Sequence, residues 1–179
     1  MAASKSKIGL IQLAKGDLAM ASVTFWDIRD GLLDILGYAH PEVAKMTNNI
    51  GVIEYCRGNL EEAHRSFKIA HDYQNRRNEK EMTPIETESL TLARANSLNN
   101  IGFVLAKMGE STRAVELMKS AIALYEKVLP GDDPTIAIVQ GNINQVLHSP
   151  PTSSGSSRKE KAWASEGGCH LTPICFAFD

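Results

Sequence analysis

Apolar residues recur along the chain at the three- and four-residue spacings of amphipathic helices. In segment 60–70, one helical stripe carries a leucine, two alanines and a phenylalanine, and charged residues lie between them. The members of this stripe are Leu60, Ala63, Phe67 and Ala70. Gly58 precedes the stripe and can adopt the positive φ that ends a helix. The pattern predicts pairs of helices separated by a glycine turn.

The helix pair recurs three times in register. Fixed offsets carry an Ile-Gly step, a second glycine, an alanine, a bulky residue and then a smaller apolar one. The three sets are Ile8, Gly9, Gly16, Ala21, Phe25 and Ile28; Ile50, Gly51, Gly58, Ala63, Phe67 and Ala70; Ile101, Gly102, Gly109, Ala114, Met118 and Ala121. Because one hairpin cannot bury its own apolar face, neighbouring units must stack. The sequence predicts an all-α fold, a right-handed α-solenoid of helical hairpins with three full units and a partial fourth.

The spacing of the repeats divides the chain into an array, residues 1–148, and a tail, residues 149–179. The units are expected at about 2–43, 44–94, 95–136 and, in part, 137–148. The second interval is nine residues longer than its neighbours. Within it, Thr83, Pro84 and Glu86 form the pattern of an N-cap, a first-turn proline and a capping-box glutamate. This pattern predicts one long helix from Pro84 to about Met108.

These columns resemble the tetratricopeptide repeat, whose units carry the same series of glycine, alanine and aromatic positions. The 42-residue period, with His40-Pro41 or Asp133-Pro134 opening a unit, is similar to the repeats of kinesin light chains. The resemblance covers about residues 8–147. It implies the solenoid fold and a peptide ligand, but not a motor role, because the sequence shows no heptad segment for a heavy chain.

Charge and cysteine content narrow the class of protein. The chain has 19 Lys+Arg against 21 Asp+Glu, a net charge of −2, whereas a duplex-binding protein usually has a basic excess. No apolar run approaches the roughly 20 residues of a membrane-spanning helix. The three cysteines are too few and too scattered for a disulfide framework. We therefore expect a cytoplasmic protein with no nucleic-acid or membrane partner.

The sequence shows no catalytic or cofactor pattern. His64 and His71 lie seven residues apart without the His-Glu-x-x-His spacing, and the glycines punctuate helices instead of forming a phosphate loop. In the tail, Cys169, His170 and Cys175 have neither zinc-site spacing nor a fourth ligand nearby. We expect no enzyme activity, no cofactor and no metal, and a disordered tail at 149–179.

The resemblance implies that a peptide would bind on the concave face, which is lined by the first helix of each unit. Its residues are Lys45, Asn48, Asn49, Val52, Tyr55, Asn96, Asn99, Asn100, Phe103, Lys107, Asn142 and Gln145. Asparagine is unfavourable inside helices, and its amide can hydrogen-bond a peptide backbone. The resemblance implies cargo contact for Asn49, Asn100 and Asn142. An equal alternative is that these three fix the register between units. Tyr55 and Phe103 could instead complete the core.

Three functions are consistent with this pattern. The first is a non-catalytic, peptide-binding adaptor or scaffold. The second is an RNA-binding helical repeat, which the near-neutral charge and the long period disfavour. The third is a self-associating structural or regulatory subunit, forming a weak homodimer through the apolar residues Ile136, Ile143 and Val146 of the incomplete fourth unit.

Overall fold

The computed structural model describes residues 2–148, which form helices joined by short turns. The helices are α1 (Ala2–Ala14), α2 (Leu18–Leu36), α3 (Pro41–Cys56), α4 (Leu60–Asn75), α5 (Pro84–Lys107), α6 (Ser111–Tyr125) and α7 (Pro134–His148), with a single 3-10 turn at Glu79–Glu81. Each helix packs on the next in chain order, and the first helices α3, α5 and α7 also contact one another in series. The prediction of an all-α solenoid is confirmed.

The turn between the two helices of each unit depends on the second glycine of that unit. Gly16, Gly58 and Gly109 have φ values of 77°, 83° and 89°, in the left-handed region that residues with a Cβ rarely adopt. Each ends a first helix and starts the reversal into the second helix of its unit. The predicted turn glycines are therefore confirmed at all three positions.

The first glycine of each unit, in the Ile-Gly step, leaves space for the bulky side chain of the second helix. A Cβ at Gly51 would lie 2.7 Å from the Phe67 ring, and one at Gly9 would lie 2.9 Å from the Phe25 ring. At Gly102 the obstructing atoms are the Ala114 carbonyl oxygen and the Met118 side chain, each at 2.9 Å. The glycine column thus has a steric cause that is the same in all three units.

The core lies between units as well as within them. The second-helix stripe of one unit packs beneath the first helix of the next unit, so that α2 covers α3, α4 covers α5 and α6 covers α7. Phe25 of α2, for example, shares a buried cluster with Ile50 and Ile53 of α3. Burial of apolar area therefore links neighbouring units along the array.

The predicted long helix is confirmed as α5, which has 24 residues. Its N-terminus has a complete capping box: the Glu86 amide donates to the Thr83 hydroxyl at 3.3 Å, and the Thr83 amide donates to the Glu86 carboxylate at 2.9 Å. The expected boundary between the second and third units, at residues 94/95, falls inside this helix. The reason is that α5 begins at Pro84, well before the Ile101-Gly102 step of the third unit.

The fourth unit is the helix α7, and its apolar face is covered. Ile143 is 2% exposed, and Ile136 and Val146 are half-buried against the cluster formed with α6. The expectation that these three residues form an open apolar face is wrong, because α6 of the third unit packs on them. The tail 149–179, with Cys169, His170 and Cys175, lies outside the described residues.

None of the helices within residues 2–148 is both long and apolar enough to cross a membrane.

Replacing Gly51 by Ala should destabilise the array, because the new methyl group overlaps the Phe67 ring. We expect Gly51→Ala to lower the free energy of unfolding by about 1–3 kcal/mol, measured by urea denaturation. The control is Gly141→Ala, in α7, where a Cβ meets no atom within 4 Å. This variant should gain up to about 1 kcal/mol from helix propensity. Equal effects of the two substitutions would contradict the steric interpretation.

Candidate functional site

The structure divides the twelve predicted contact residues into buried and accessible groups. Asn48, Asn49, Val52, Tyr55, Asn96, Asn99 and Asn100 are buried; Lys45, Phe103 and Asn142 are half-buried; Lys107 and Gln145 are exposed. The expectation that all twelve line an open surface is wrong for the buried seven. The first helices contact one another, so side chains at these positions pack between helices.

A buried hydrogen bond joins the first helices of the second and third units. Asn100 Nδ2 donates to Asn48 Oδ1 at 3.1 Å, and the two side chains are 4% and 0% exposed. A bond between residues 52 positions apart fixes the longitudinal register of α3 against α5. For Asn100 this contact supports the register alternative, with an amide side chain of the preceding first helix as its partner.

Asn96 has a structural partner within the third unit. The Tyr125 hydroxyl donates to Asn96 Oδ1 in a buried contact between α6 and α5. Burial, and secondarily the nearby Asp133, raises the pKa of the Tyr125 phenol, which therefore stays protonated and keeps its donor proton. This bond holds the end of α6 against α5.

Asn49 occupies the same position as Asn100, one repeat earlier, but its amide has no hydrogen-bond partner within the described residues. By the repeat register, its partner position in the first unit is Ser6. The Ser6 hydroxyl donates instead to Met46 Sδ at 3.9 Å. The inter-unit amide contact is therefore not repeated between the first and second units.

The accessible part of the site centres on Phe103. Its ring meets the Tyr55 ring edge-on, with centroids 5.6 Å apart and planes at 79°. The Lys107 ammonium lies 5.4 Å from the Phe103 centroid, within cation–π range. On α3, Lys45 pairs with Glu42 at 2.8 Å and keeps part of its side chain exposed. The first-helix surface, defined here as Lys45, Phe103, Lys107, Asn142 and Gln145, thus combines an aromatic ring, cations and amides.

A polar cluster between α4 and α5 was not predicted from the sequence. Arg94 Nη2 donates to the Gln74 carbonyl oxygen at 3.2 Å, and the Ser97 hydroxyl donates to Gln74 Oε1 at 3.1 Å. Arg94 also pairs with Glu79 of the 3-10 turn. The cluster anchors the N-terminal extension of α5 on α4.

His71 lies beside this cluster. Burial lowers the pKa of the His71 imidazole, the Asp72 charge opposes that shift, and the Arg94 charge adds to it. The ring is therefore neutral near pH 7. Within residues 2–148, His, Cys, Asp and Glu side chains form no group of three that could hold a metal ion.

The geometry defines a class: an α-solenoid of stacked helical hairpins with a partly polar seam between its first helices. Residues 94–135 match the tetratricopeptide repeat family, and the other hairpins share the architecture of that segment. Among curated proteins, no sequence matches the chain.

Two crystal structures of one protein from Podosopora anserina are similar in fold. That protein is assigned to the kinesin light chains and has nearly identical TPR-like repeats; one of the two structures is a variant in which methionine replaces a glutamine. Both have a TM-score of 0.65 over 80% of this chain, with 17% identity for the variant and 16% for the other. The match covers 63% and 64% of those chains, slightly less than two thirds of their length. At this identity the likeness concerns the fold alone.

Loss of the Asn100 side chain should cost more stability than loss of Asn49. Asn100→Ala leaves the buried Asn48 oxygen unpaired, which we expect to lower the free energy of unfolding by about 1–3 kcal/mol. Asn49→Ala breaks no hydrogen bond, so its cost should be smaller. The exposed Asn144→Ala is the control and should change stability by less than about 0.5 kcal/mol. A larger loss in Asn49→Ala than in Asn100→Ala, measured by urea denaturation, would refute the register role.

Acidification should destabilise the array through His71. Its pKa in the folded protein lies below the ordinary value of 6.5, so the unfolded chain binds the proton more readily. The stability contributed by the neutral ring is present above about pH 6.5 and decreases as pH falls through the folded pKa. We expect urea midpoints between pH 7.5 and 5.5 to fall less in His71→Gln than in wild type. Equal falls in the urea midpoint of the two proteins would contradict this role of His71.

Proposed function

We propose that this chain is a non-catalytic protein-interaction module that binds a peptide segment of a partner protein on its first-helix surface. Its role would be that of a cytoplasmic adaptor or scaffold, without cofactor and without nucleic acid. The observation that carries this proposal is Phe103, which packs against two core clusters yet stays half-exposed, with the Lys107 ammonium 5.4 Å from the centroid of its ring.

The buried contacts beneath this surface support binding by holding it rigid. The Asn48–Asn100 bond and the Tyr55–Phe103 ring contact both join α3 to α5. A site held in place before a ligand arrives loses less conformational entropy on binding. The buried asparagines therefore serve the proposed site by positioning its helices, whereas the accessible residues make the contacts.

The accessible residues indicate the chemistry of the ligand. Phe103 offers an apolar and aromatic contact, and Lys107 offers a charge to a carboxylate. Asn142 and Gln145, on α7, have amides that can both donate to and accept from a peptide backbone. A segment with an apolar and an acidic side chain would satisfy both features.

Self-association through the C-terminal end is not part of this proposal. The three residues on which it rested, Ile136, Ile143 and Val146, pack against the third unit. RNA binding likewise has no support from the charge, since the chain carries a formal net charge of −2.

The proposal is tested by selecting peptides from a random displayed library with the full chain and titrating a recovered, synthesised peptide. Phe103→Ala and Lys107→Glu should each weaken its affinity, by about ten-fold or more if the residue is an energetic centre of the site. Fluorescence anisotropy measures the dissociation constant, and urea denaturation verifies that both variants fold.

The matched control is Lys119→Glu, an equally simple charge reversal at an exposed position of the second helix α6. It should leave the affinity unchanged. Failure to recover any saturable peptide would refute the proposed function. So would affinity that responds to Lys119→Glu but not to Phe103→Ala or Lys107→Glu.

A further inference from the structure

The pair of amides that joins α3 to α5 recurs in the sequence between α5 and α7. Asn48 and Asn99 each lie three residues before the glycine of their Ile-Gly step, and Asn100 lies two residues before it. In the fourth unit Asn144 stands at the glycine position, and Asn142 lies two residues before it. The repeat therefore maps the pair Asn48–Asn100 onto the pair Asn99–Asn142.

The acceptor that this mapping names is a buried atom without a partner. Between α3 and α5, Asn100 Nδ2 donates to Asn48 Oδ1 at 3.1 Å. The mapped bond would run from Asn142 Nδ2 to Asn99 Oδ1. Asn99 is 3% exposed, and its Oδ1 is buried without a hydrogen-bond partner within the described residues. Because a buried acceptor without a donor costs free energy, this one contact would remove an existing cost.

The donor is available at the facing position of α7. Asn142 is half-buried, and its side chain makes no hydrogen bond within residues 2–148. Gly141 precedes it, and a Cβ at this glycine would meet no atom within 4 Å, so no packing contact requires it. Since a glycine inside a helix weakens the helix locally, the backbone beside Asn142 can adjust at low cost.

The packing of α5 and α7 brings these two positions to the same level. One turn before Asn99, Ala95 of α5 belongs to a buried cluster that also contains two residues of α7. These are Val139, three residues before Asn142, and Ile143, which follows it directly. The two helices also contact each other directly. The donor and the acceptor therefore lie beside the same packed turn.

The junction between α1 and α3 lacks the second amide. The position of Asn48 and Asn99 is held there by Ser6, whose hydroxyl donates to Met46 Sδ at 3.9 Å. Asn49, the residue equivalent to Asn100, therefore has no amide counterpart on α1. Within residues 2–148, the α5–α7 junction is the place where both amides are present and not joined.

We propose that Asn99 and Asn142 form a latch that closes α7 on α5 when a peptide of a partner protein lies across the first-helix surface. In the closed state, Asn142 Nδ2 donates to Asn99 Oδ1. This inference rests on the proposed function, because the first-helix surface spans both helices, with Phe103 on α5 and Gln145 on α7. A peptide that contacts both helices binds the closed state more tightly and shifts the equilibrium toward it.

In this latch Asn99 is a positioning residue. It is buried, so it acts on the peptide only through Asn142. The oxygen and the nitrogen of an amide point apart. A Nδ2 group that donates to Asn99 therefore leaves Asn142 Oδ1 directed away from it, as an acceptor for an N–H of the peptide. Closure thus fixes which end of the Asn142 amide meets the ligand.

The latch is tested first in the free chain, by NMR relaxation dispersion, which detects exchange between microseconds and milliseconds. We expect exchange at the Asn142 side-chain amide, assigned by its loss in Asn142→Ala, between a major open state and a minor closed state. Asn99→Ala should abolish this exchange, because the closed state loses its acceptor. The matched control is Asn144→Ala, at an exposed position of the same helix, which should leave the exchange unchanged.

The second measurement is the affinity for the peptide recovered from the displayed library. Asn99→Ala should raise the Kd by about two- to ten-fold, the usual worth of one hydrogen bond. In the Asn142→Ala background the same substitution should have no further effect, because its partner is already absent. A merely structural role would instead lower stability. Urea denaturation should show no loss in free Asn99→Ala, since Asn99 Oδ1 has no partner there.

Two kinds of result would overturn the latch. The first is a lack of exchange at the Asn142 amide, or exchange that persists in Asn99→Ala. The second is an unchanged Kd in Asn99→Ala, or an equal rise of the Kd in the Asn142→Ala background. Failure to recover any peptide would refute the proposed function, and the exchange measurement, which needs no ligand, would still decide whether the latch exists.

Discussion

The whole array depends on the close approach of two helices within each unit. The bulky side chain of the second helix sits on the backbone of the first, at a glycine that has no Cβ to obstruct it. This approach brings the apolar residues on either side of Phe25, Phe67 or Met118, which are alanines except for Ile28, into the core, where each is fully buried or nearly so. The resulting flat hairpin presents a continuous apolar stripe, and only the next unit can cover that stripe.

Polar contacts then decide how the stacked units are aligned. Apolar stripes are tolerant of sliding because hydrophobic burial has no direction. The Asn48–Asn100 hydrogen bond has a direction and a length, so it selects one register between α3 and α5. The Arg94, Gln74 and Ser97 contacts do the same for the inserted length of α5 against α4. A surface built on first helices that are fixed in this way can offer side chains at constant spacing.

The ends of the array follow from the same stacking rule. Each unit leaves one first-helix face for the preceding unit and one second-helix stripe for the following unit. At the C-terminal end, α7 covers the α6 stripe and exposes polar residues. Among them is Asn144, which stands at the position of Gly51 and Gly102, and within residues 2–148 no second helix packs on it. At the N-terminal end, no helix within residues 2–148 covers Ile8 and Ile11. The first hairpin adds further apolar residues there instead of charges.

The sequence by itself determined the helical hairpins, the turn glycines, the capping box at Thr83 and the stacked architecture, because these depend on local geometry and on a pattern that repeats at fixed offsets. It did not determine which helix faces meet. Asn48 and Asn100 lie 52 positions apart. The periodic pattern of the sequence would be the same whether these residues lay in a buried seam or in an open groove. Only the tertiary structure, by bringing the first helices into contact, decided that these amides are buried, that Phe103 is half-buried and that Lys107 is exposed. The packing of α6 on α7 decided that Ile143 is covered, whereas no helix within residues 2–148 covers Ile8 in the same way.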